Sequence, residues 1–248
     1  MPLLSRDERP PYFVVNPGAA SPLLLVGDHS GAAIPASLDR LGLPASALER
    51  HIALDIGVAA LGARLAEALG ATFIAQRFSR LVIDCNRDPG RADSICEVSD
   101  ETAIPGNLGL TDAARAQRLA EVFQPYHERI AAELGARIGA GQAPRLVALH
   151  SFTPVLAGEA RPWRFGVLRL EGSRFSQAML ERLRRAIGAG AVGDNQPYRM
   201  DATDYTVARH ALARGLDYLE LEVRQDTIAD APGQAETAAL LAPLLAAA

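Results

Sequence analysis

Two histidines end two separate apolar runs of this 248-residue chain. The segment PLLLVGDHSG, residues 22–31, leads to His29, and the segment RLVALHSFTP, residues 145–154, leads to His150. Neither run shows polar alternation, which is typical of strands buried on both faces of a parallel sheet. Because ligands of open α/β sheets bind beyond the carboxyl ends of the strands, we expect the two imidazoles to face one crevice. Two satisfied core histidines would give the same pattern.

A carboxylate falls on the apolar face of a helix that is predicted to begin near Ser46. Asp55 lies in the middle of that apolar stripe, and His51 lies at its edge. A buried carboxylate is costly unless a cation or several donors meet it, so Asp55 needs a metal, His51 or an arginine as its partner. Two histidines and one carboxylate are a common ligand set for catalytic zinc. A structural ion pair or hydrogen bond is the alternative.

Further polar groups follow other predicted strands. Asn86 and Arg87 begin a long, turn-rich loop directly after an apolar run, and a guanidinium can bind a substrate carboxylate with two hydrogen bonds. Arg87 could instead cap a helix or pair with an aspartate of its own loop. In LDYLELEVR, residues 216–224, Tyr218, Glu220, Glu222 and Arg224 share one face of a strand, with Glu222 and Arg224 near its end. If that strand is internal, this face points to the crevice and offers a second carboxylate that can accept a proton from water; an exposed edge strand would show the same alternation.

The elements that must position these residues alternate along the chain. Strands are predicted at 22–27, 72–76, 80–85, 145–149, 164–170 and 216–224, and helices at 46–69, 111–138, 174–187, 203–214 and 234–246. This alternation predicts an α/β fold with a mostly parallel sheet that has helices on both faces. The sequence contains no repeat and no obvious linker, which favours a single domain over residues 1–248.

Composition excludes several classes of function. The formal net charge is −4, so no basic surface for nucleic acid or anionic membrane is expected. The first residues, MPLLSRDERPPYF, have no basic segment followed by an apolar one, and no run approaches the roughly 20 apolar residues of a membrane span. Two cysteines, Cys85 and Cys96, are too few for a disulfide framework. We therefore expect a reduced, cytoplasmic protein.

Eight short motifs in order resemble the N-formylglutamate amidohydrolase family across about residues 20–245. They are DHSGAAIP, HIALDIG, FSRLVIDCNRDPG, IPGN, LHSFTPV, RPW, VGDNQPY and LELEVRQDTI. The resemblance implies a phosphorylase/hydrolase-like α/β fold, related to zinc carboxypeptidases and aspartoacylase. It also implies hydrolysis of an N-acyl amino acid, in amino-acid degradation such as histidine catabolism.

The zinc carboxypeptidase pattern carries over to some of these residues. Its HS ligand motif is similar to His150-Ser151, its substrate-binding NR to Asn86-Arg87, and its catalytic E-x-R to Glu222-Val223-Arg224. Its first ligand motif, H-x-x-E, is not matched, because Ala32 stands three residues after His29.

The missing glutamate leaves the carboxylate ligand to be assigned. Asp55 takes that role because its burial calls for a partner, and Asp28 and Glu159 are the weaker alternatives. Tyr205 resembles the mobile tyrosine of carboxypeptidases in its order along the chain.

The leading expectation is a zinc amidohydrolase that removes the formyl group from an N-formyl amino acid such as N-formyl-L-glutamate. One zinc per chain is held by His29, Asp55 and His150, and Glu222 carries the proton from the attacking water to the departing amine. The substrate-binding residues are Arg80, Asn86, Arg87, Tyr205 and Arg224.

Two other functions stay open. One is a deacylase or carboxypeptidase-like hydrolase for another acyl amino acid or small peptide, and the other is a non-catalytic binding protein for acylated amino acids. The serines after the two histidines do not lie in G-x-S-x-G, so a serine hydrolase is not expected.

Overall fold

The computed structural model describes residues 2–170, 173–201 and 204–248. Its strands, in chain order, are β1 (Tyr12–Val15), β2 (Leu23–Gly27), β3 (Thr72–Gln76), β4 (Val98–Ser99), β5 (Thr102–Ala103), β6 (Arg145–Phe152), β7 (Val155–Leu156), β8 (Glu159–Ala160), β9 (Phe165–Leu168), β10 (Val192–Asp194) and β11 (Tyr218–Arg224). Its α-helices are α1 (Val58–Leu69), α2 (Asp112–Arg118), α3 (Gln124–Gly139), α4 (Arg174–Ile187), α5 (Thr206–His210) and α6 (Ala231–Ala247).

The central sheet of the described residues has seven strands in the order β1-β3-β2-β6-β11-β9-β10. Four of its six neighbouring pairs are parallel, whereas β1 with β3 and β9 with β11 are antiparallel. Since β3, β2, β6 and β11 all run the same way, their carboxyl ends meet at one edge of the sheet. This confirms the predicted fold class, an α/β fold with a mixed, mostly parallel sheet.

Helices cover both faces of this sheet. Helices α1, α4 and α6 bury leucines such as Leu61, Leu183 and Leu241 against one face. Helices α3 and α5 cover the other face with residues that include Tyr126 and Val207. Each such side chain contributes about 1.5–3 kcal/mol on full burial, so the sheet is held between two apolar layers.

Several predicted elements are confirmed. Strands β2, β3, β6, β9 and β11 lie where the apolar runs were found, although β6 continues to Phe152 and therefore includes His150. The predicted helix 111–138 corresponds to α2, a π-helical turn at Leu119–Phe123 and α3. Helices α4 and α6 match the predictions at 174–187 and 234–246 closely. For the predicted helix 203–214, Thr203 lies outside the described residues, and α5 ends at His210 before a 3₁₀ turn.

The predicted strand at 80–85 is wrong. These residues form consecutive turns, although Leu81, Val82 and Ile83 are buried as a strand would bury them. Their backbone oxygens are satisfied by side chains and not by a neighbouring strand: Asn107 donates to the carbonyl of Leu81 and Arg118 to that of Val82.

The predicted helix at 46–69 begins only at Val58, so that part of the prediction is also wrong. A short 3₁₀ turn at Ala45–Glu49 and further turns precede it, and Gly57 adopts a positive φ of 83° at the helix start. A Cβ at that position would lie 2.2 Å from the carbonyl oxygen of Ile228, so only glycine fits. Asp55 therefore lies in a turn and not on a helix.

Two edge strands, β1 and β10, were not predicted, because they have only four and three residues. Within the part of the chain that the structure describes, no helix has the length and apolar character needed to cross a membrane.

Candidate active site

A cavity of about 440 Å³ lies where the carboxyl ends of β2, β6 and β11 meet. Its lining is mostly polar or charged and consists of His29, Asp55, Arg80, Asp84, Asn86, Arg87, His150, Ser151, Leu168, Tyr198, Arg199, Asp201, Asp204, Glu220 and Glu222. Seven of the nine predicted site residues are among them. The cavity is therefore the candidate active site.

His29, Asp55 and His150 form a buried group inside the cavity. Asp55 Oδ2 lies 3.4 Å from His29 Nδ1 and 2.9 Å from His150 Nδ1. One potential ligand atom from each residue lies within 4.8 Å of the others. Asp55 is held in place by its backbone, because its N–H donates to the carbonyl of His29 at 2.9 Å. These three residues could hold a metal ion.

Each histidine has a second carboxylate on its other ring nitrogen. His29 Nε2 makes a 2.7 Å hydrogen bond with Asp84 Oδ1, and His150 Nε2 lies 3.4 Å from Asp28 Oδ2. Asp28 is fixed in turn, because its Oδ1 accepts hydrogen bonds from the hydroxyls of Tyr126 and Thr206. Metal-ligating histidines are usually oriented in this way by a carboxylate or carbonyl. Asp28 and Asp84 are therefore placed to orient the two imidazoles.

The charged groups of this cluster shift one another's pKa values. Burial and Arg80 would lower the pKa of His29, but Asp84 and Asp55 outweigh both and raise it. Burial would also lower the pKa of His150, but Asp28 and Asp55 raise it well above its usual value. Burial would raise the pKa of Asp55, yet the two histidines hold it well below its usual range. Asp55 is therefore ionised at neutral pH.

Glu222 faces this group from the adjacent strand. It lies opposite His150 in the register of β11 with β6 and is 5% exposed. Its Oε2 is buried without a hydrogen-bond partner among the described residues. Burial raises the pKa of Glu222 to about 7, although His150 acts to lower it. Glu222 is therefore able to accept and release a proton near neutral pH.

Two arginines form another part of the wall. Arg80 donates to Asp84 Oδ2 at 2.7 Å and lies 3.5 Å from Asp55 Oδ1. Arg87 lies 4.0 Å from Asp84 Oδ2 and 3.5 Å from Asp93. Both guanidinium groups line the cavity and could contact an anionic substrate group.

Asn86 uses its side chain internally. Its Oδ1 accepts hydrogen bonds from the N–H groups of Tyr205 and Thr206 at 3.0 and 2.9 Å. Only its side-chain N–H₂ is left to contact a substrate, and its oxygen ties the segment after residue 85 to the start of α5.

Tyr205 and Arg224 do not line this cavity. The ring of Tyr205 packs against Phe123 and His127 and lines a smaller cavity beside α3. Arg224 bonds Asp226 at 2.8 Å and lies in reach of two backbone carbonyls. Order along the chain suggested Tyr205, but the tyrosine that the fold brings to the cavity is Tyr198, which is fixed by Arg161 through a 2.9 Å hydrogen bond.

The other residues considered as a partner of Asp55 or as the carboxylate ligand lie elsewhere. His51 lies 3.4 Å from Asp100 and does not contact Asp55. Asp28 lies behind His150, and Glu159 is exposed on the short strand β8. Sequence reasoning missed Asp84 and Asp204, whereas Glu220 lies in the cavity on the strand face that was predicted for it. Asp84 ends the apolar run RLVIDC, so a single polar residue after a buried segment was the available signal.

Comparisons with known proteins agree with this geometry. A model of the N-formylglutamate amidohydrolase family matches residues 21–229. No curated protein matches the chain. The solved structure of gene product Atu2144 from Agrobacterium tumefaciens superimposes with a TM-score of 0.93 at 36% identity, covering 98% of this chain and 96% of that one. An N-formylglutamate amidohydrolase from Ralstonia eutropha has the same fold, with a TM-score of 0.67 at 21% identity over 96% of this chain and 97% of that one.

The fold and a family match over most of the chain lead to one assignment. This chain belongs to the N-formylglutamate amidohydrolase family.

Proposed function

We propose that this protein is a zinc-dependent amidohydrolase that cleaves the amide bond of an N-formyl or other N-acyl amino acid, with N-formyl-L-glutamate as the reference substrate. The observation that carries the proposal is the buried His29–Asp55–His150 group beside Glu222, in a cavity that also contains two arginines. Metal ligands, a proton acceptor and groups that bind a carboxylate are the components that amide hydrolysis of an acidic substrate requires.

The three residues of the buried group fit a zinc ion. Ligand atoms around a tetrahedral zinc with bonds of about 2.0–2.1 Å lie about 3.3 Å apart, close to the 3.4 and 2.9 Å between Asp55 Oδ2 and the two Nδ1 atoms. His29 Nδ1 is buried without a hydrogen-bond partner among the described residues, whereas its Nε2 is bonded to Asp84, so Nδ1 is the nitrogen left to bind a metal. A zinc ion held there would supply a Lewis acid that polarises the scissile carbonyl and lowers the pKa of water.

Glu222 is the proton carrier in this proposal. As a carboxylate it takes a proton from the attacking water, and as an acid it returns that proton to the departing amine nitrogen. Burial and the missing partner on its Oε2 keep this oxygen available for both transfers. Such a group typically contributes a factor of roughly 100–10,000 in rate.

Arg87 and Arg80 orient the substrate. A carboxylate of the substrate that does not react lies against the Arg87 guanidinium, with the Asn86 side-chain N–H₂ as a further donor. Arg80 holds Asp84 and Asp55 at the same time, so its main contribution is to fix the carboxylates that surround the histidines.

The proposal is tested by comparing the wild-type protein with the variants His150→Ala and Glu222→Gln. Metal analysis should find about one zinc per wild-type chain, and a formate-release assay with N-formyl amino acids should show turnover. We expect His150→Ala to lose zinc, and Glu222→Gln to keep zinc and fold but to lose roughly 100- to 10,000-fold in turnover.

The alternatives give different results. Formate release that is insensitive to Glu222→Gln would assign the proton transfer to another group. Turnover of longer acyl groups but not of formyl substrates would identify a deacylase. Binding of acyl amino acids without turnover or zinc would identify a non-catalytic relative.

A further inference from the structure

Arg199 lines the candidate active site from the segment between β10 and α5. The residues on either side of it are anchored. The hydroxyl of Tyr198 accepts a 2.9 Å hydrogen bond from Arg161, whose guanidinium also lies 4.8 Å from the centre of the Tyr198 ring. Met200 is 4% exposed and belongs to an apolar cluster. The backbone at Arg199 is therefore held in position, while Arg199 itself is exposed at the cavity.

Arg199 differs from the other two arginines of the cavity because it has no carboxylate partner in the protein. Arg80 contacts Asp84 at 2.7 Å, and Arg87 contacts Asp93 at 3.5 Å. Among the described residues, no ion pair joins Arg199 to a carboxylate. Its positive charge is therefore available to an anionic group of a ligand.

The aspartates of the same segment do not take up this charge. Asp201 and Asp204 both line the cavity, yet neither forms an ion pair with Arg199 in the part of the chain that the structure describes. The Oδ2 atom of Asp204 accepts a hydrogen bond from the backbone N–H of Asp201 at 2.9 Å. Asp204 is thus engaged with the backbone of its own segment.

The reference substrate needs a second cation. N-formyl-L-glutamate has two carboxylates that do not react, and Arg87 accounts for one of them. Six of the residues that line the cavity are aspartate or glutamate, so an additional carboxylate would be repelled unless a positive group compensates it. A guanidinium matches the geometry of a carboxylate with two parallel hydrogen bonds. Arg199 is the arginine of the cavity that is left for this role.

We propose that Arg199 binds the side-chain carboxylate of the substrate, while Arg87 binds its α-carboxylate. This inference rests on the proposed function and assigns the residue that selects dicarboxylic N-acyl amino acids, such as N-formyl-L-glutamate, over those with a neutral side chain.

The test uses three substrates of nearly the same shape. They are N-formyl-L-glutamate, N-formyl-L-glutamine, in which the side-chain carboxylate is an amide, and N-formyl-L-isoglutamine, in which the α-carboxylate is an amide. For Arg199→Gln we expect kcat/KM to fall about 5- to 30-fold on glutamate and isoglutamine derivatives, between the values for an exposed ion pair and for a charged hydrogen bond in a cavity. On the glutamine derivative the change should stay below about twofold, because that substrate has no side-chain anion to lose.

Arg87→Ala should give the complementary pattern. Its loss should be large on the glutamate and glutamine derivatives and small on isoglutamine, where the α-carboxylate is missing. The matched control is Arg185→Gln, an exposed arginine of α4 that does not line the cavity, which should leave all three substrates unchanged.

Reversal of the charge gives a readout that a merely damaged protein would not show. In Arg199→Glu the attraction for a side-chain carboxylate becomes repulsion, and a side-chain ammonium is attracted instead. The ratio of kcat/KM for N-formyl-L-lysine to that for N-formyl-L-glutamate should therefore rise at least about tenfold over its value in the wild type.

Equal losses on all three substrates in Arg199→Gln, or no loss on any of them, would overturn the inference while leaving the proposed hydrolysis intact. Absence of formate release by the wild type would instead contradict the proposed function. In that case calorimetry with free L-glutamate and L-glutamine still tests Arg199, since Arg199→Gln should weaken binding of glutamate and not of glutamine. Wild-type protein that does not bind glutamate, or a variant that binds both amino acids as the wild type does, would then overturn the inference.

Discussion

At the scale of single residues, the second carboxylates determine how the two imidazoles can be used. Asp84 accepts the Nε2–H of His29 and leaves the lone pair of Nδ1 directed at Asp55. Arg80 holds Asp84 from the other side at 2.7 Å, so the imidazole, the carboxylate and the guanidinium form one chain of contacts. Asp28 has the corresponding position beside His150, where the hydroxyls of Tyr126 and Thr206 fix it. Each imidazole therefore lies between Asp55 and a second carboxylate.

Substitution of Asp84 should weaken metal binding without removing a ligand. Asp84→Asn keeps the size of the side chain and an acceptor oxygen but removes the negative charge, so the Nε2–H of His29 is held less strongly and the ring becomes a weaker ligand. We expect zinc affinity to fall about 10- to 100-fold, measured by competition with a chromophoric chelator. The control is Asp194→Asn, which removes a carboxylate from an ion pair with Arg169 elsewhere in the molecule. Equal losses in the two variants would show that Asp84 has no special relation to the metal.

Arg87 gives a second prediction at this scale. A charged hydrogen bond to a substrate carboxylate is worth about 1.5–3 kcal/mol, so Arg87→Ala should lower kcat/KM roughly 10- to 150-fold. The loss should shrink when the α-carboxylate of the substrate is replaced by an amide, because the guanidinium then has no anion to bind.

The matched control for Arg87 is Arg91→Ala, since Arg91 pairs with the same Asp93 but does not line the cavity. A loss of equal size on acid and amide substrates, together with lower thermal stability, would mean that Arg87 holds the loop and not the substrate.

At the scale of elements, the segment after β3 is held by a buried arginine. Arg118 ends α2, is 1% exposed and donates to the carbonyls of Val82 and Gly106 and to the side-chain oxygen of Asn107. These acceptors are all uncharged, and burial lowers the pKa of Arg118 to about 10. These hydrogen bonds replace the backbone ladder that a strand at 80–85 would have had.

Arg118→Met should therefore destabilise the whole fold. The thioether side chain fills part of the space but leaves the two carbonyls and the Asn107 oxygen buried without donors, at about 1–3 kcal/mol for each unsatisfied group. We expect a loss of at least about 2 kcal/mol in the free energy of unfolding, measured by urea denaturation. Arg115→Met on the same helix, where the arginine is partly exposed, is expected to change stability by less than about 0.5 kcal/mol. A similar small effect at Arg118 would contradict the prediction.

The sequence was informative where local pattern and position suffice. Uninterrupted apolar runs identified β2, β3 and β6. Because ligands bind at the carboxyl ends of parallel strands, the sequence also predicted that His29 and His150 face one cavity. The predicted strand at 80–85 was wrong because long-range hydrogen bonds determine the structure there. The carbonyl of Val82 accepts a hydrogen bond from Arg118, 36 residues later in the chain.

The prediction for Asp55 was correct in one respect and wrong in another. Its predicted burial is correct, but it lies in a turn whose N–H binds the carbonyl of His29. Asp84 was missed because a single polar residue in an apolar segment does not show whether it will face a cavity.

At the scale of the whole molecule, the helices on one face are connected to the candidate site through a buried histidine pair. His127 of α3 donates from Nε2 to the carbonyl of Cys85, the residue before Asn86. Its Nδ1 accepts from His210 Nε2 of α5 at 2.9 Å, and the two rings are stacked. Burial disfavours the charged form of both rings, and protonation of both would set two N–H groups against each other. Folding therefore depends on the protonation of two groups outside the cavity.

Acid should destabilise the protein through this pair, and His210→Gln should reduce the effect. Burial, and then the neighbouring His127, lower the pKa of His210 to about 3, and burial lowers that of His127 to about 4. An unfolded histidine titrates near 6.5, so below that pH the unfolded state binds protons that the folded state does not. Stability therefore falls as pH decreases, and His210 alone accounts for a loss of about 2 kcal/mol between pH 7 and pH 5. Glutamine can still donate to His127 but does not titrate, so the free energy of unfolding should fall about 2 kcal/mol less in the variant over that interval.

Urea denaturation at pH 7, 6 and 5 measures this difference, in which the carboxylates and histidines of the cavity cancel because both proteins contain them. His51→Gln is the control, since the side chain of His51 is 28% exposed and should contribute much less. Parallel pH profiles for wild type and His210→Gln would show that the buried pair does not set the acid sensitivity of the fold.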